Sequence, residues 1–201
     1  MSDLHTIYGS NLEDMQQAMT EVIDRLHEIR LSIASNGKGD PVDHLMFRIK
    51  SDASMRDKCR RNGLPENENS ALHVLKDAIG IRLVCSFISD VYLIRDEILR
   101  LPDCEIITEK DYIRCAKPNG YRSDHIVLRY KNRFFMEIQL RTISMDNWAA
   151  LEHQMRYKKS ISGNTELIAE ELKRCADELA STDVSMQTIR DMIYNEGARQ
   201  K

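Results

Sequence analysis

Apolar residues recur from Tyr8 through Leu12, Met15, Met19, Val22, Leu26 and Ile29 to Ile33 at alternating steps of four and three. That spacing predicts a long amphipathic helix with a narrow seam, packed on its own domain or on a second subunit. Asn36-Gly37-Lys38-Gly39-Asp40-Pro41 ends it and reads as a linker. The pattern then switches to alternation at Phe47-Arg48-Ile49-Lys50, a short strand, and returns to a helix from Ser51 to Arg61 that Asn62-Gly63 stops. Ser70 to Ala78 predicts a short helix capped by Asn69 or Ser70. The nearly continuous apolar run Gly80 to Phe87 predicts a central strand. Ser89-Asp90 is placed to cap a helix that runs to Leu101 and stops at Pro102. Cys104 to Ile107 and Lys110 to Ile113 read as short strands, and Ala116 to Gly120 as a loop. After a hairpin, Ser144 caps a helix with Trp148, Leu151 and Met155 on one side; Asn164 opens another, and Val184 to Tyr194 gives a last one. This order predicts a mixed α/β or α+β fold, a sheet of about five strands flanked by helices.

The hairpin is the most informative stretch. His125 to Tyr130 places Ile126, Leu128 and Tyr130 on one face; Phe134, Met136, Ile138 and Leu140 do the same in the next strand. With Lys131-Asn132-Arg133 as a three-residue loop, Tyr130 meets Phe134, Leu128 meets Met136 and Ile126 meets Ile138. A two-residue loop would set Ile126 against Glu137 and mix the faces. The three-residue register gathers His125, Glu137, Gln139 and Arg141 on the other face. A strand with one solvated face would carry them too, yet together they form a candidate site.

Composition narrows the functional classes. The 201 residues suit one domain with helical additions (1–40 an N-terminal helix, 44–160 the core, 161–201 C-terminal helices). Hydrophobic and charged fractions of 42% and 30% are those of a soluble globular protein. A formal net charge of −3 gives no global attraction to nucleic acid, so a polyanion site has to be a local basic patch. The five scattered cysteines contain no C-x-x-C pair, which argues against a zinc site or disulfide framework and fits a reducing cytosol. No apolar run approaches the ~18 residues of a membrane span, and no signal peptide is expected.

A basic patch does occur. Arg48, Lys50, Arg56, Lys58, Arg60 and Arg61 fall within fourteen residues, against Asp52 and Asp57. At a strand-to-helix junction such a cluster suits a triphosphate, although a solvated helix face would look the same. No Walker-type glycine loop accompanies it, so a P-loop fold is not supported. Arg82, inside an apolar strand, needs a partner or a ligand.

Five segments in order, Asp77-Ala-Ile-Gly-Ile-Arg-Leu, Lys110-Asp-Tyr-Ile, Lys117-Pro-Asn-Gly-Tyr-Arg-Ser, Glu137-Ile-Gln-Leu-Arg-Thr and Trp148-Ala-Ala-Leu-Glu-His, resemble the RelA/SpoT synthetase domain of bacterial (p)ppGpp synthetases. The likeness runs from about Arg48 to Lys158, and the set is far more specific than any one motif. It implies a nucleotidyltransferase-related fold and a small alarmone synthetase with no room for hydrolase or regulatory domains. The implied activity is that of a GTP diphosphokinase, moving the β,γ-pyrophosphate of ATP to the 3′-hydroxyl of GDP or GTP with release of AMP, in the cytoplasm. By resemblance, Asp77 holds Mg²⁺, with Glu137 as second ligand, general base, or both. Arg48, Lys50, Ser54 and Lys58 match the family's ATP-holding spacing, and Arg48 with Arg82 is expected to sandwich the adenine. Tyr121 is expected to stack on guanine, with Lys117, His125, Gln139 and Asp146 completing the acceptor site. The small family members also imply a homo-oligomer, a homotetramer.

Three positions depart from the family: Asp124 where an apolar or aromatic residue is usual, Asn147 in place of Phe, and His44-Leu45-Met46-Phe47 without the usual Gly. Asp124 is expected beside the acceptor site, where it would alter the choice among GMP, GDP and GTP. The third departure bears on allosteric binding of an alarmone. Two other readings stand beside the synthetase. A tRNA 3′-end pyrophosphokinase toxin of the same fold would need a basic surface for RNA, which is not indicated. A non-catalytic nucleotide- or RNA-binding regulator would not need both Asp77 and Glu137.

Overall fold

The structure is a computed structural model and describes residues 6–35, 39–156 and 164–199. Five strands form one mixed sheet: β1 (Val42–Ile49), β2 (Ile79–Cys85), β3 (Cys104–Asp111), β4 (Asp124–Tyr130) and β5 (Phe134–Thr142), in the spatial order β1-β2-β5-β4-β3. β2 and β5 run parallel; every other neighbouring pair is antiparallel. The hairpin register is the one its hydrophobic alternation requires, with Tyr130 opposite Phe134, Leu128 opposite Met136, Ile126 opposite Ile138 and His125 opposite Gln139. Lys131 and Asn132 adopt positive φ values of 47° and 54°, as a tight loop at that position demands.

One face of the sheet is covered. Ile79, Ile81, Leu83, Ile126, Leu128, Met136, Ile138 and Leu140 are buried there with residues of α1 (Leu12–Ile33) and α3 (Ile88–Ile98). The α1 seam therefore packs inside its own domain: Met15, Met19, Val22 and Leu26 are all buried. The helix proper begins at Leu12, after a 3-10 turn at Gly9–Asn11. The other face carries Arg48, Gly80, Arg82, His125, Glu137, Gln139 and Arg141, because these alternate with the buried set along β1, β2, β4 and β5.

Several elements differ from the sequence expectation for identifiable reasons. β1 is longer than Phe47–Lys50 because its whole length pairs with β2. α2 (Asp52–Arg61) forms where expected, with Ser51 as its N-cap. The helix predicted from Ser70 to Ala78 is only a wide turn over Ser70–Val74; Asn67 caps it by accepting from the Ser70 amide at 2.9 Å. The two short strands around Thr108 are one strand, β3, with a bulge between Ile106 and Thr108. Neither Ser89 nor Asp90 caps α3: the Ser89 amide donates to Gln187, and buried Asp90 accepts from Arg190. α4 (Ile143–Arg156) buries Trp148 but leaves Leu151 and Met155 exposed. The two predicted C-terminal helices are one, α5 (Thr165–Arg199). The helix runs on through Asp183, whose carboxylate accepts from the Thr142 hydroxyl at 2.5 Å.

Candidate active site

At one end of the open face, three elements converge on a carboxylate. Lys50 follows β1, Lys58 projects from α2, and Asp77 leads into β2. Both ammonium groups donate to Asp77 Oδ2 at 2.5 Å. Burial pushes the Asp77 carboxyl upward in pKa, but the two lysines outweigh it and hold the group below the usual carboxylate range. Burial likewise lowers Lys50, which Asp77 partly offsets. The second Asp77 oxygen, Oδ1, is buried without a hydrogen-bond partner. A hard, ionised, unsatisfied oxygen is what a divalent cation takes.

Asp77, Lys50, Arg48, Arg82, Gly80, Glu137 and Gln139 line a cleft of about 170 Å³ between β1, β2 and β5. Glu137 is half-buried, and burial raises its pKa; His125 and Gln139 more than reverse this. Gln139 Nε2 donates to Glu137 Oε2 at 2.8 Å, and His125 Nδ1 lies 3.2 Å from Oε1. Asp77 acts on Glu137 as a like charge, so a cation between them would be welcome to both. Among the described residues no group of three His, Cys, Asp or Glu is arranged to hold a metal. The donor set is thus two carboxylates, which leaves the remaining positions for water or phosphate oxygens, as Mg²⁺ prefers.

A hydrogen-bond chain leads from Glu137 to an aromatic cluster. Arg141 Nη2 donates to the Tyr121 hydroxyl at 2.7 Å, which leaves that hydroxyl to donate to His125 Nε2 at 2.6 Å. His125 Nδ1 then carries the proton facing Glu137. Tyr121 sits among Tyr112, His125 and Trp148, with ring centroids 6.2, 5.7 and 6.5 Å away. The Lys117 ammonium lies 4.5 Å over the Tyr112 ring and 4.7 Å over the Tyr121 ring. These rings and this cation form a platform of the kind a purine base stacks on.

The cleft and the platform share a bridge. Asp146, in the first turn of α4, accepts from Arg82 Nη1 at 3.1 Å and from Arg141 Nη1 at 2.9 Å. Gln139 Oε1 accepts from the same two arginines. Arg141 is only 3% exposed, so this network is what keeps its charge tolerable. Arg82 thereby has the partner that its place in an apolar strand demands.

The structure brings together Asp77, Glu137, Arg48, Lys50, Lys58, Arg82 and Gln139 at the cleft, and Lys117, Tyr121 and His125 at the platform, with Asp146 between. Ser54 lies apart, in the first turn of α2, where its hydroxyl meets the Ser51 N-cap at 2.9 Å. Asp124 is not beside the acceptor platform. It pairs with Leu140 on the covered face, fully buried, and faces Arg95 of α3 at 3.7 Å. Sequence reasoning missed Tyr112 and Trp148 as platform walls. Tyr112 follows Lys110-Asp111 in a quoted motif, but only the fold brings its ring to Tyr121.

Residues 47–162 match the family described as a region found in RelA/SpoT proteins. The chain is 31% identical over 186 residues to the GTP pyrophosphokinase YjbM of Bacillus subtilis, covering 89% of this chain and 86% of that protein. It is 37% identical over 161 residues to the GTP pyrophosphokinase YwaC of the same organism, covering 77% and 76%. Its fold superposes on the small alarmone synthetase 1 of Bacillus subtilis bound to its product pppGpp with a TM-score of 0.77 at 30% identity, covering 89% of this chain and 93% of that one.

Proposed function

The chain belongs to the RelA/SpoT family, and we propose that within it the protein is a GTP pyrophosphokinase, a small alarmone synthetase. It transfers the β,γ-pyrophosphate of ATP to the 3′-hydroxyl of GDP or GTP. The bond formed joins O3′ to the β-phosphorus, the bond broken joins that phosphorus to the bridging oxygen, and AMP leaves with that oxygen. The observation that carries this reading is the pair Asp77 and Glu137, half-buried in one cleft and both held ionised by their neighbours.

The residues divide the work. Glu137 accepts the 3′-hydroxyl proton, aligned by Gln139 and His125. Lys50, Lys58 and Arg48 supply positive charge for the polyphosphate, and Arg48 with Arg82 flanks the adenine. Ser54, which lies apart at the start of α2, would have to leave its Ser51 contact to reach the polyphosphate. Tyr121 stacks on the guanine, with Lys117, His125, Gln139 and Asp146 around it. Asp77 and Glu137 would hold Mg²⁺, to which the unsatisfied Asp77 oxygen is suited; when bound, the ion would supply charge neutralisation at the transferred group.

The toxin reading loses support because Arg56, Arg60 and Arg61 on α2 are paired with Asp52, Glu66 and Asp57 rather than presented as an open basic surface. No helix among the described residues is long and apolar enough to cross a membrane, and we assign the enzyme to the cytoplasm because its proposed substrates are nucleotides. We take residues 1–201 as one synthetase domain with its core at 44–160, assembled as a homotetramer. Exposed Val184, Met192 and Ile193 on α5 suit a subunit contact, and a monomeric mass in light scattering would overturn the assembly.

The test is purified protein with ATP, Mg²⁺ and GMP, GDP or GTP in turn, products resolved by anion exchange, beside Glu137→Gln. AMP and a 3′-pyrophosphorylated guanosine nucleotide from the wild type alone establish the reaction and rank the acceptors. ATP binding without product from any of the three would discard it.

A further inference from the structure

The loop that carries Tyr121 is positioned by α5, through residues 54 and 55 places further along the chain. Its own turn is closed locally: Gly120 N donates to Lys117 O at 2.8 Å, and Lys117 N to Tyr121 O at 3.1 Å. The Tyr121 hydroxyl ties the loop to Arg141 and His125, and Ser123 donates to Leu140 O; the loop's tie to α5 is through Arg122. Arg122 Nη1 donates to Gly120 O at 3.1 Å and to Ala176 O at 3.4 Å, while Nη2 donates to Asp177 Oδ1 at 3.0 Å. One guanidinium therefore fastens the loop backbone to the helix backbone and to a helix carboxylate.

The fit at this seam is close. Gly120 has φ +89°, and a Cβ there would lie 2.6 Å from Ala176 Cβ and 3.2 Å from Lys173 Cα. Beneath it, Tyr121 packs on a small core of Trp148, Ala149, Ala176, Leu172 and Leu179, separate from the main one. Trp148 Nε1 donates to Leu172 O at 2.9 Å, so α4 and α5 are tied to each other under the same ring. Arg122, Ala176 and Asp177 do not line the cleft of Asp77, Arg48 and Arg82.

We propose that Arg122 is a positioning residue which, through Asp177 and the Ala176 carbonyl, makes α5 set the affinity for the acceptor nucleotide while leaving the ATP site unaffected. This rests on the reading of Tyr121 as the guanine platform. The physical argument is pre-organisation: a base stacks well only on a ring already held in place, and a loop that must be ordered on binding weakens that binding. The residues proposed for ATP stand on or next to β1, β2 and α2, and Arg82 alone among them reaches the platform, through the Asp146 and Gln139 bridge to Arg141.

The experiment measures the KM for GDP at saturating ATP and the KM for ATP at saturating GDP, in wild type, Arg122→Met, Arg122→Lys and Asp177→Asn. Trp148 is the one tryptophan in the chain and lies 6.5 Å from Tyr121, so GDP binding is followed independently by its fluorescence. Arg122→Met is expected to raise the GDP KM about tenfold with the ATP KM within about twofold. Arg122→Lys, which keeps the charge without the fork, falls between. Asp177→Asn costs about threefold, since Asp177 is half-exposed and also shared with Lys173. An unchanged GDP KM in Arg122→Met, or an equal rise in both KM values, overturns the proposal. If Arg122→Met does not fold, Asp177→Asn decides alone, because a surface carboxamide leaves the helix intact; its GDP KM must rise selectively. A wild type that neither binds nor uses any guanosine nucleotide removes the functional reading, and this proposal with it.

Discussion

Glu137 and Asp124 are carboxylates on adjacent strands that face opposite sides of one sheet. Burial pushes both pKa values upward, and there the likeness ends. On the open face, Glu137 receives His125 and Gln139 and comes to rest below the usual carboxylate range. On the covered face, neither oxygen of Asp124 has a hydrogen-bond donor. Glu109 and Asp111 add repulsion, Arg95 at 3.7 Å compensates only in part, and the carboxyl is pushed up to about 6. Burial alone does not say whether a carboxylate is a base or an acid at neutral pH; the donors within reach do. The polar alternation of β4 and β5 supplies those donors on one face only.

The comparison is broken most severely by removing the carboxylate proposed as the base. Glu137→Gln keeps the shape and the Gln139 contact region but cannot take a proton, so kcat for AMP release falls by about 10³-fold with an unchanged circular dichroism spectrum. A loss below tenfold would assign the proton to another group.

Next in size is Asp124→Asn, which acts on stability. Burial is the chief cause that pushes the Asp124 carboxyl up to about 6 in the folded protein, above the ordinary aspartate range. The folded state therefore binds the proton more tightly, and stability is lost as pH rises through the folded value. Between pH 4 and pH 8 the wild type should lose on the order of 2 kcal/mol relative to Asp124→Asn. Urea unfolding of both proteins across that range reads the difference, and parallel curves would show that Asp124 has found a donor.

His125→Phe sharpens the other half of the comparison. Without the imidazole, burial is less opposed at Glu137 and its pKa rises. The acid limb of the kcat–pH profile then moves to higher pH, and activity at pH 7 drops by about tenfold. A limb that stays in place would mean that Gln139 and the cleft cations suffice. The smallest effect is expected from Arg95→Gln, which withdraws the larger of the two contributions that lower Asp124, the other being the His125 backbone. Stability at pH 8 should fall by about 0.5–1 kcal/mol, and by less at pH 5, where Asp124 is protonated.

Much of the sheet is legible in the sequence because strand alternation has a period of two and a slip of one residue is ruinous. Ile126, Leu128 and Tyr130 against Ile138, Met136 and Phe134 admit one register, and that register places His125, Glu137 and Gln139 together. The donor cations stand out as a basic cluster at a strand-to-helix junction, and the family resemblance implies their ATP role. What escapes is whatever depends on a distant partner. Asp90 resembles a helix cap until Arg190 is seen to satisfy it. Asp124 reads as an acceptor-site residue from its neighbours in sequence. Its parity along β4, shared with Ile126 rather than His125, sends it to the covered face. Parity was available in the sequence; the crowding of Glu109, Asp111 and Arg95 around it was not.

The parallel ladder between β2 and β5 joins segments 57 residues apart, as at Arg82 and Gln139. Asp77 enters from the β2 side of that ladder and Glu137 belongs to the β5 side. The β4–β5 hairpin, with its three-residue loop, can zip locally and early, and β3 can add to it. The Asp77–Glu137 pair exists only after the long-range strand pairing has closed, which is the step that chain entropy makes slow. During refolding from urea, regained pyrophosphate transfer should therefore track the slowest protein-folding phase, lagging the appearance of β structure.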